Sequence, residues 1–111
     1  MNEWWAIIKS YNNYAVSTLG RVRNLKTGRL LKPQDSGKRG GNYLFVNLFK
    51  NGKRRNINIH VLVAEAFLGP RPCRMLVHHI DTNRKNPVIT NLEYCTVLEN
   101  NRSHVLKAKE K

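Results

Sequence analysis

The chain has 111 residues, enough for one domain with a shallow core. Its 20 Lys and Arg outnumber 7 Asp and Glu, for a formal net charge of +13. Such an excess opposes compaction and concentrates polyanions, so nucleic acid is the expected partner. No long apolar span or basic amphipathic helix stands out, which argues against a membrane. The basic residues are scattered from Arg21 to Lys109, as a charged face on a folded body would have them.

Cys73 and Cys95 make no CxxC pair and no zinc-ribbon spacing, so both are expected as reduced, partly buried thiols in a cytosolic protein. The start "MNEWWAIIKS" has no basic region leading into an apolar one, and no signal peptide is expected. Short strands follow. "YAVSTLGRVRNL" alternates loosely around a turn at Gly20, and "KTGR" at 26–29 makes a second turn before "LLKP". The glycine-rich, basic "QDSGKRGGN" at 34–42 is expected as a mobile loop.

"YLFVNLF" (43–49) and "RNINI" (55–59) flank "KNGK", and Asn51-Gly52 is the pair that a type I′ hairpin turn requires. "HVLVAEAFLG" at 60–69 is apolar nearly all round except at Glu65, which predicts a central buried helix ended by Gly69 and Pro70. "MLVHHI" and "VITNLEYCT" then read as two strands joined by the turn-rich "DTNRKNP". Thr96 and Glu99 form an S/T-x-x-E capping box, predicting a helix from about Val97 toward Lys107.

A hairpin crossed by a helix can bring the end of the first strand to the helix start. His78 and Asn100 would then face each other and could hold a divalent cation. His79 would point elsewhere, because successive strand residues alternate faces, and its imidazole could take a proton from water. Each residue also has an ordinary structural role open to it: packed histidines, an Asx turn at Asp81, and backbone-bonded amides at Asn91 and Asn100.

The order and spacing carry more than any member. "HHIDTNRKN", "TNLEYCT" and "LEN" resemble the "HxDGNxxNNxxxNLxWxTxxEN" pattern of HNH homing endonucleases of phages and introns. The stretches "WAIIKSYNNYAVSTLGRVRNLKTGRLLKP" and "YLFVNLFKNGKRRNINIHVLVAEAFLGP" resemble the N-terminal module that often precedes this motif in phage proteins. The resemblance implies an α+β chain: a small antiparallel β module at 1–59, then a ββα-metal nuclease motif at 60–111 with its preceding buried helix. It implies a DNA endonuclease using one divalent ion, Mg²⁺ or Mn²⁺, acting in the cytoplasm of a phage-infected or bacterial cell. His79 would be the general base, Asn91 the brace that orients it, and His78 and Asn100 the metal ligands, with His104 a further site residue ranked behind Asn100. The family's habit is to leave a 5′ phosphate and a 3′ hydroxyl.

Many phage relatives carry Asp where this chain has His78. Imidazole in place of a carboxylate softens the site, so Ni²⁺ or Zn²⁺ could compete. Few residues follow the motif helix, which makes sequence-specific recognition by this chain alone doubtful and leaves room for a homodimer or a targeting protein. Double-stranded DNA would be held through phosphates by Arg21, Arg23, Lys26, Arg29 and Lys32 around one hairpin, and by Lys50, Lys53, Arg54 and Arg55 around the other. Arg84 and Lys85 would flank the scissile phosphate. Trp4, Trp5 and Tyr14 fit packing better than base stacking. One site per chain suggests nicking. The alternative is a non-catalytic DNA-binding module with structural histidines.

Overall fold

The computed structural model describes residues 2–96. The helix expected after Thr96, with Asn100 and His104, lies outside the described residues. Among the described residues, three antiparallel sheets surround one α-helix. β1 (Trp5–Ile8), β2 (Tyr11–Ser17) and β3 (Val22–Asn24) form the first sheet, in the order β1-β2-β3. β4 (Gln34–Asp35), β5 (Leu44–Lys50) and β6 (Lys53–Asn58) form the second, and β7 (Met75–His79) pairs with β8 (Leu92–Thr96).

The β5–β6 hairpin turns as its sequence requires, with Asn51 at φ 53° and Gly52 at φ 75°, both in the left-handed region of a type I′ turn. The helix α1 (Ile59–Phe67) starts one residue earlier than expected, so Ile59 is its first residue and not the last of a strand. Gly69, at φ 94°, follows it in the left-handed conformation that ends many helices. α1 packs against β1, β2, β5, β6, β7 and β8, and Ile59, Val63 and Ala64 are fully buried. Val16 and Val22 from the first sheet, Val46 and Leu48 from the second, and Leu92 from β8 join them in one apolar cluster. The strand module and the His-bearing ribbon therefore share a core.

Other local expectations are corrected. Trp5–Ile8 forms a strand, which the loose alternation after Tyr14 did not announce. The glycine-rich 34–42 stretch holds β4 and a 3₁₀ turn at Lys38–Gly40, and Ser36 hydroxyl binds the Gly40 carbonyl and the Tyr43 amide. "VITNLEYCT" is a strand only from Leu92, because Ile89–Asn91 forms a 3₁₀ turn. Tyr14 is buried, its hydroxyl accepting the Phe49 amide, and Trp5 is half-buried, but Trp4 is exposed. Cys95 is buried, whereas Cys73 is exposed.

A second seam ties the ribbon's loop to the first sheet. The Ile89 amide donates to the Thr18 carbonyl at 2.8 Å, and Gly20 presses against Pro87. Gly20 has φ +86°, and a Cβ there would sit 2.5 Å from Pro87 Cγ. Gly20→Ala should therefore cost about 1–3 kcal/mol through backbone strain and the clash together, read as a lower urea midpoint with an unchanged slope.

Candidate active site

β7 and β8 run antiparallel with His78 opposite Glu93 and His79 opposite Leu92. The adjacent histidines have different neighbours: His78 Nε2 lies 4.0 Å from Glu93 Oε1, while the His79 ring faces His60 of α1 and Tyr43, the residue before β5. Beyond His79 the chain makes a loop organised by Asp81. Its carboxylate accepts the Asn83 amide at 2.8 Å, the Asn86 carboxamide at 2.9 Å and the Asn91 carboxamide at 2.9 Å. Those bonds, Asn86 foremost, hold the Asp81 carboxyl below the usual carboxylate range.

Asn91 is buried and spends its whole side chain on this loop. Its Oδ1 accepts the Asp81 amide at 2.9 Å, and its Nδ2 also donates to the Asn86 carbonyl at 3.0 Å. The Ile80 amide donates to the Asn91 carbonyl at 2.8 Å, and the Thr82 amide to the His79 carbonyl at 2.9 Å. The expected Asx turn at Asp81 is thus present and larger than expected, and it fixes the backbone next to His79.

His79 is 5 % exposed and belongs to a cluster of three rings. Its centroid lies 4.8 Å from that of His60 and 6.0 Å from that of Tyr43, and Tyr43 stacks on His60 at 4.7 Å. Burial lowers the His79 pKa; Asp81 opposes this, while His78 and Arg84 add to it. Burial, with the nearby His79 and Arg71, pushes His60 down to about 4. Both rings are therefore neutral near pH 7. His60 and Tyr43 escaped the sequence reading. One signal was there: His60 is a lone imidazole in a helix that is otherwise apolar except at Glu65.

The expected DNA contacts are exposed, apart from a half-buried Arg23. Several already have protein contacts. Arg21 makes a two-pronged ion pair with Glu3, whose hydrogen bond holds the Glu3 carboxyl down to about 2. Arg23 lies 4.4 Å from the Trp5 ring centroid, and Lys50 5.9 Å from that of Tyr11. Arg84 donates to the Gly41 carbonyl at 3.1 Å and lies 5.3 Å from the Tyr43 centroid, and Lys85 Nζ is 2.5 Å from Asp35 Oδ2. Lys26, Arg29, Lys32, Lys53, Arg54 and Arg55 line the turns and strands of the two hairpins.

Among the described residues no three His, Cys, Asp or Glu side chains converge as a metal cluster. The donors present near the ribbon are the His78 imidazole and the Glu93 carboxylate, types that suit a divalent transition ion. They fit such an ion, with Asn100 falling outside the described residues.

Comparison with known proteins bears on both halves of the chain. Residues 58–102 match the model for an HNH endonuclease, and residues 3–49 match the NUMOD4 motif. The chain thus carries an HNH endonuclease domain preceded by a NUMOD4 motif. It is 36 % identical over 96 residues to the DNA endonuclease I-HmuI of Bacillus phage SP01, covering 83 % of this chain and 52 % of that protein. It is 35 % identical over 98 residues to an uncharacterized HNH endonuclease, L245, of Acanthamoeba polyphaga mimivirus, covering 88 % of this chain and 29 % of that protein. A solved structure described as DNA binding and cleavage by the HNH homing endonuclease I-HmuI superposes with a TM-score of 0.86 at 34 % identity, covering 95 % of this chain and 59 % of that one. The chain spans about half or less of these curated relatives. The HNH match starts at residue 58, at the junction of β6 and α1, so His60 lies inside it and Tyr43 in the NUMOD4 match.

The buried His60 gives the HNH fold a pH dependence. Its folded value of about 4 lies below the ordinary 6.5, so the unfolded chain binds the proton first as pH falls. The stability held by the neutral ring is complete above about pH 6.5 and is lost progressively down to about pH 4. Urea titrations at about pH 7 and pH 5 should differ by on the order of 2 kcal/mol, and His60→Phe should shrink that difference.

Proposed function

We propose that this chain is a divalent-metal-dependent DNA endonuclease that nicks one strand per encounter, with residues 1–59 gripping the duplex and residues 60–111 cutting it. The observation that carries the reading is the neutral, ring-packed His79 at the tip of the β7–β8 ribbon, beside His78, in a chain that carries an HNH endonuclease domain. Neutral imidazole is the form that accepts a proton, and His79 takes one from the attacking water. The new oxygen–phosphorus bond forms as the 3′ oxygen departs, leaving a 5′ phosphate. When bound at His78 and Asn100, a divalent ion, Mg²⁺ or Mn²⁺ with Ni²⁺ or Zn²⁺ as competitors, would stabilise charge on the phosphate and the leaving oxygen. Asn91 holds the loop and, through the backbone beside it, the base. The similarity to I-HmuI, described as binding and cleaving DNA, supports duplex DNA as the substrate.

Purified chain with Mg²⁺ or Mn²⁺ should convert supercoiled plasmid to the nicked circle. His79→Ala should abolish nicking and keep DNA binding, and Asn100→Ala should move the metal titration to higher concentration. A wild type inert with every divalent metal would favour a non-catalytic DNA-binding module, and a cutting His79→Ala would remove His79 as the base.

The grip is read through salt. With six or more phosphate contacts, affinity for a random duplex should fall on the order of 10³-fold between about 50 and 200 mM salt. Replacing Lys53, Arg54 and Arg55 by alanine should flatten that slope by about three contacts; an unchanged slope would take the β5–β6 hairpin off the DNA.

A further inference from the structure

We infer that Tyr43 and His60 are positioning residues for the nuclease reaction: their rings wedge His79 into one orientation, so the strand module completes the site of the proposed base. This rests on the nuclease reading above. A histidine side chain has two torsions, and the second is broad and soft. Catalytic and metal-binding histidines are usually oriented by a hydrogen bond from the ring nitrogen that does no chemistry. Here His79 Nε2 is buried with no hydrogen-bond partner among the described residues. Ring packing must do what that bond would do.

The packing is well suited to it. His60 meets His79 at 4.8 Å between centroids with planes 59° apart, and Tyr43 lies at 6.0 Å with planes 34° apart. Both fall within the 4.5–7 Å span favoured by aromatic pairs. Tyr43 and His60 stack at 4.7 Å and 27°, so neither moves without the other.

Each wedge is itself anchored. His60 is in the first turn of α1, inside the shared core. The Tyr43 amide donates to Ser36 Oγ at 2.9 Å, and its carbonyl accepts the Ser36 amide at 2.9 Å. Gly41, at φ +90°, lets the chain pass the Tyr43 ring, since a Cβ there would lie 2.9 Å from Tyr43 Cε2. Arg84 closes the circuit, binding the Gly41 carbonyl from the loop that follows His79. His60 Nδ1 is also buried with no partner among the described residues. His60 therefore acts by the volume and plane of its ring, not as a donor, and a phenyl ring should replace it.

The test uses the full chain with ¹³C-labelled histidine in wild type, His60→Leu, His60→Phe, Tyr43→Leu and Tyr43→Phe. Leucine keeps apolar volume but removes the plane; phenylalanine keeps the plane. In both leucine variants the His79 ring resonances should shift toward averaged values. The saturating single-turnover nicking rate with Mn²⁺ should fall about 10²-fold, the loss expected from a misplaced reacting group, with the half-saturating DNA concentration within about threefold. Both phenylalanine variants should restore most of the rate. Leucine variants that cut at the wild-type rate would overturn the inference, as would a His60→Phe no faster than His60→Leu. Should His60→Leu fail to fold, Tyr43→Leu decides alone. If wild type does not nick, the nuclease reading fails, and the spectra still decide the wedge: unmoved His79 resonances in the leucine variants refute it, and displaced ones uphold it.

Discussion

The pairing of Asn91 with Asp81 is the constraint on which the rest depends. One carboxamide accepts the Asp81 amide and donates to the Asp81 carboxylate, joining a residue two positions past β7 to the residue just before β8. A loop of twelve residues, 80–91, between two short strands would otherwise have many conformations, and closing it has an entropic cost that a five-residue ribbon alone offsets poorly. With both ends pinned, the register that sets His78 opposite Glu93 and His79 opposite Leu92 has no freedom to slip. A slip of one residue would exchange the faces of the two histidines.

The ribbon is too small to bury a core of its own, and it does not try. Leu92 enters the same cluster as Val16, Val46 and Val63, and the loop is stitched to the first sheet through Thr18 and Gly20 and to the second through Asp35 and Gly41. The match to NUMOD4 ends at residue 49 and the HNH match begins at residue 58, yet the physical seam lies elsewhere. α1 packs on all three sheets, and Tyr43 reaches His79 across 36 positions of sequence. Two motifs that are separate as patterns form one folded body.

That seam also explains what could be read in advance. The β5–β6 hairpin was legible because Asn51-Gly52 encodes its turn within two residues, and α1 because its apolar run is too long for a strand and stops at a glycine. The bond of Asn91 back to Asp81 was open to expectation because both belong to one local loop. β1 was not legible, since Trp4 and Ile7 stay exposed and the strand exists by pairing with Tyr11–Ser17. The 3₁₀ turn before Leu92 was hidden because Asn91 leaves the strand pattern to serve a bond to a residue ten positions back. The ring cluster was hidden for the same reason at longer range: neither Tyr43 nor His60 carries a local mark of its contact.

The charge balance completes the argument. Every acidic side chain the structure describes is committed: Glu3 to Arg21, Asp35 to Lys85, Glu65 beside Arg71, Glu93 beside His78, and Asp81 to its amides. Such exposed pairs add little stability. Their effect is geometric, since Lys85–Asp35 ties the β7–β8 loop to the second sheet and Arg21–Glu3 ties the chain before β1 to the β2–β3 turn. The surplus of thirteen cations has no internal counterpart, for the chain has only seven acids to offer twenty bases. Self-repulsion of that size weakens the free fold, and a polyanion lying along the two hairpins relieves it. A duplex bound there would therefore stabilise the body that carries His79, so that gripping the substrate and holding the site together draw on the same electrostatic free energy.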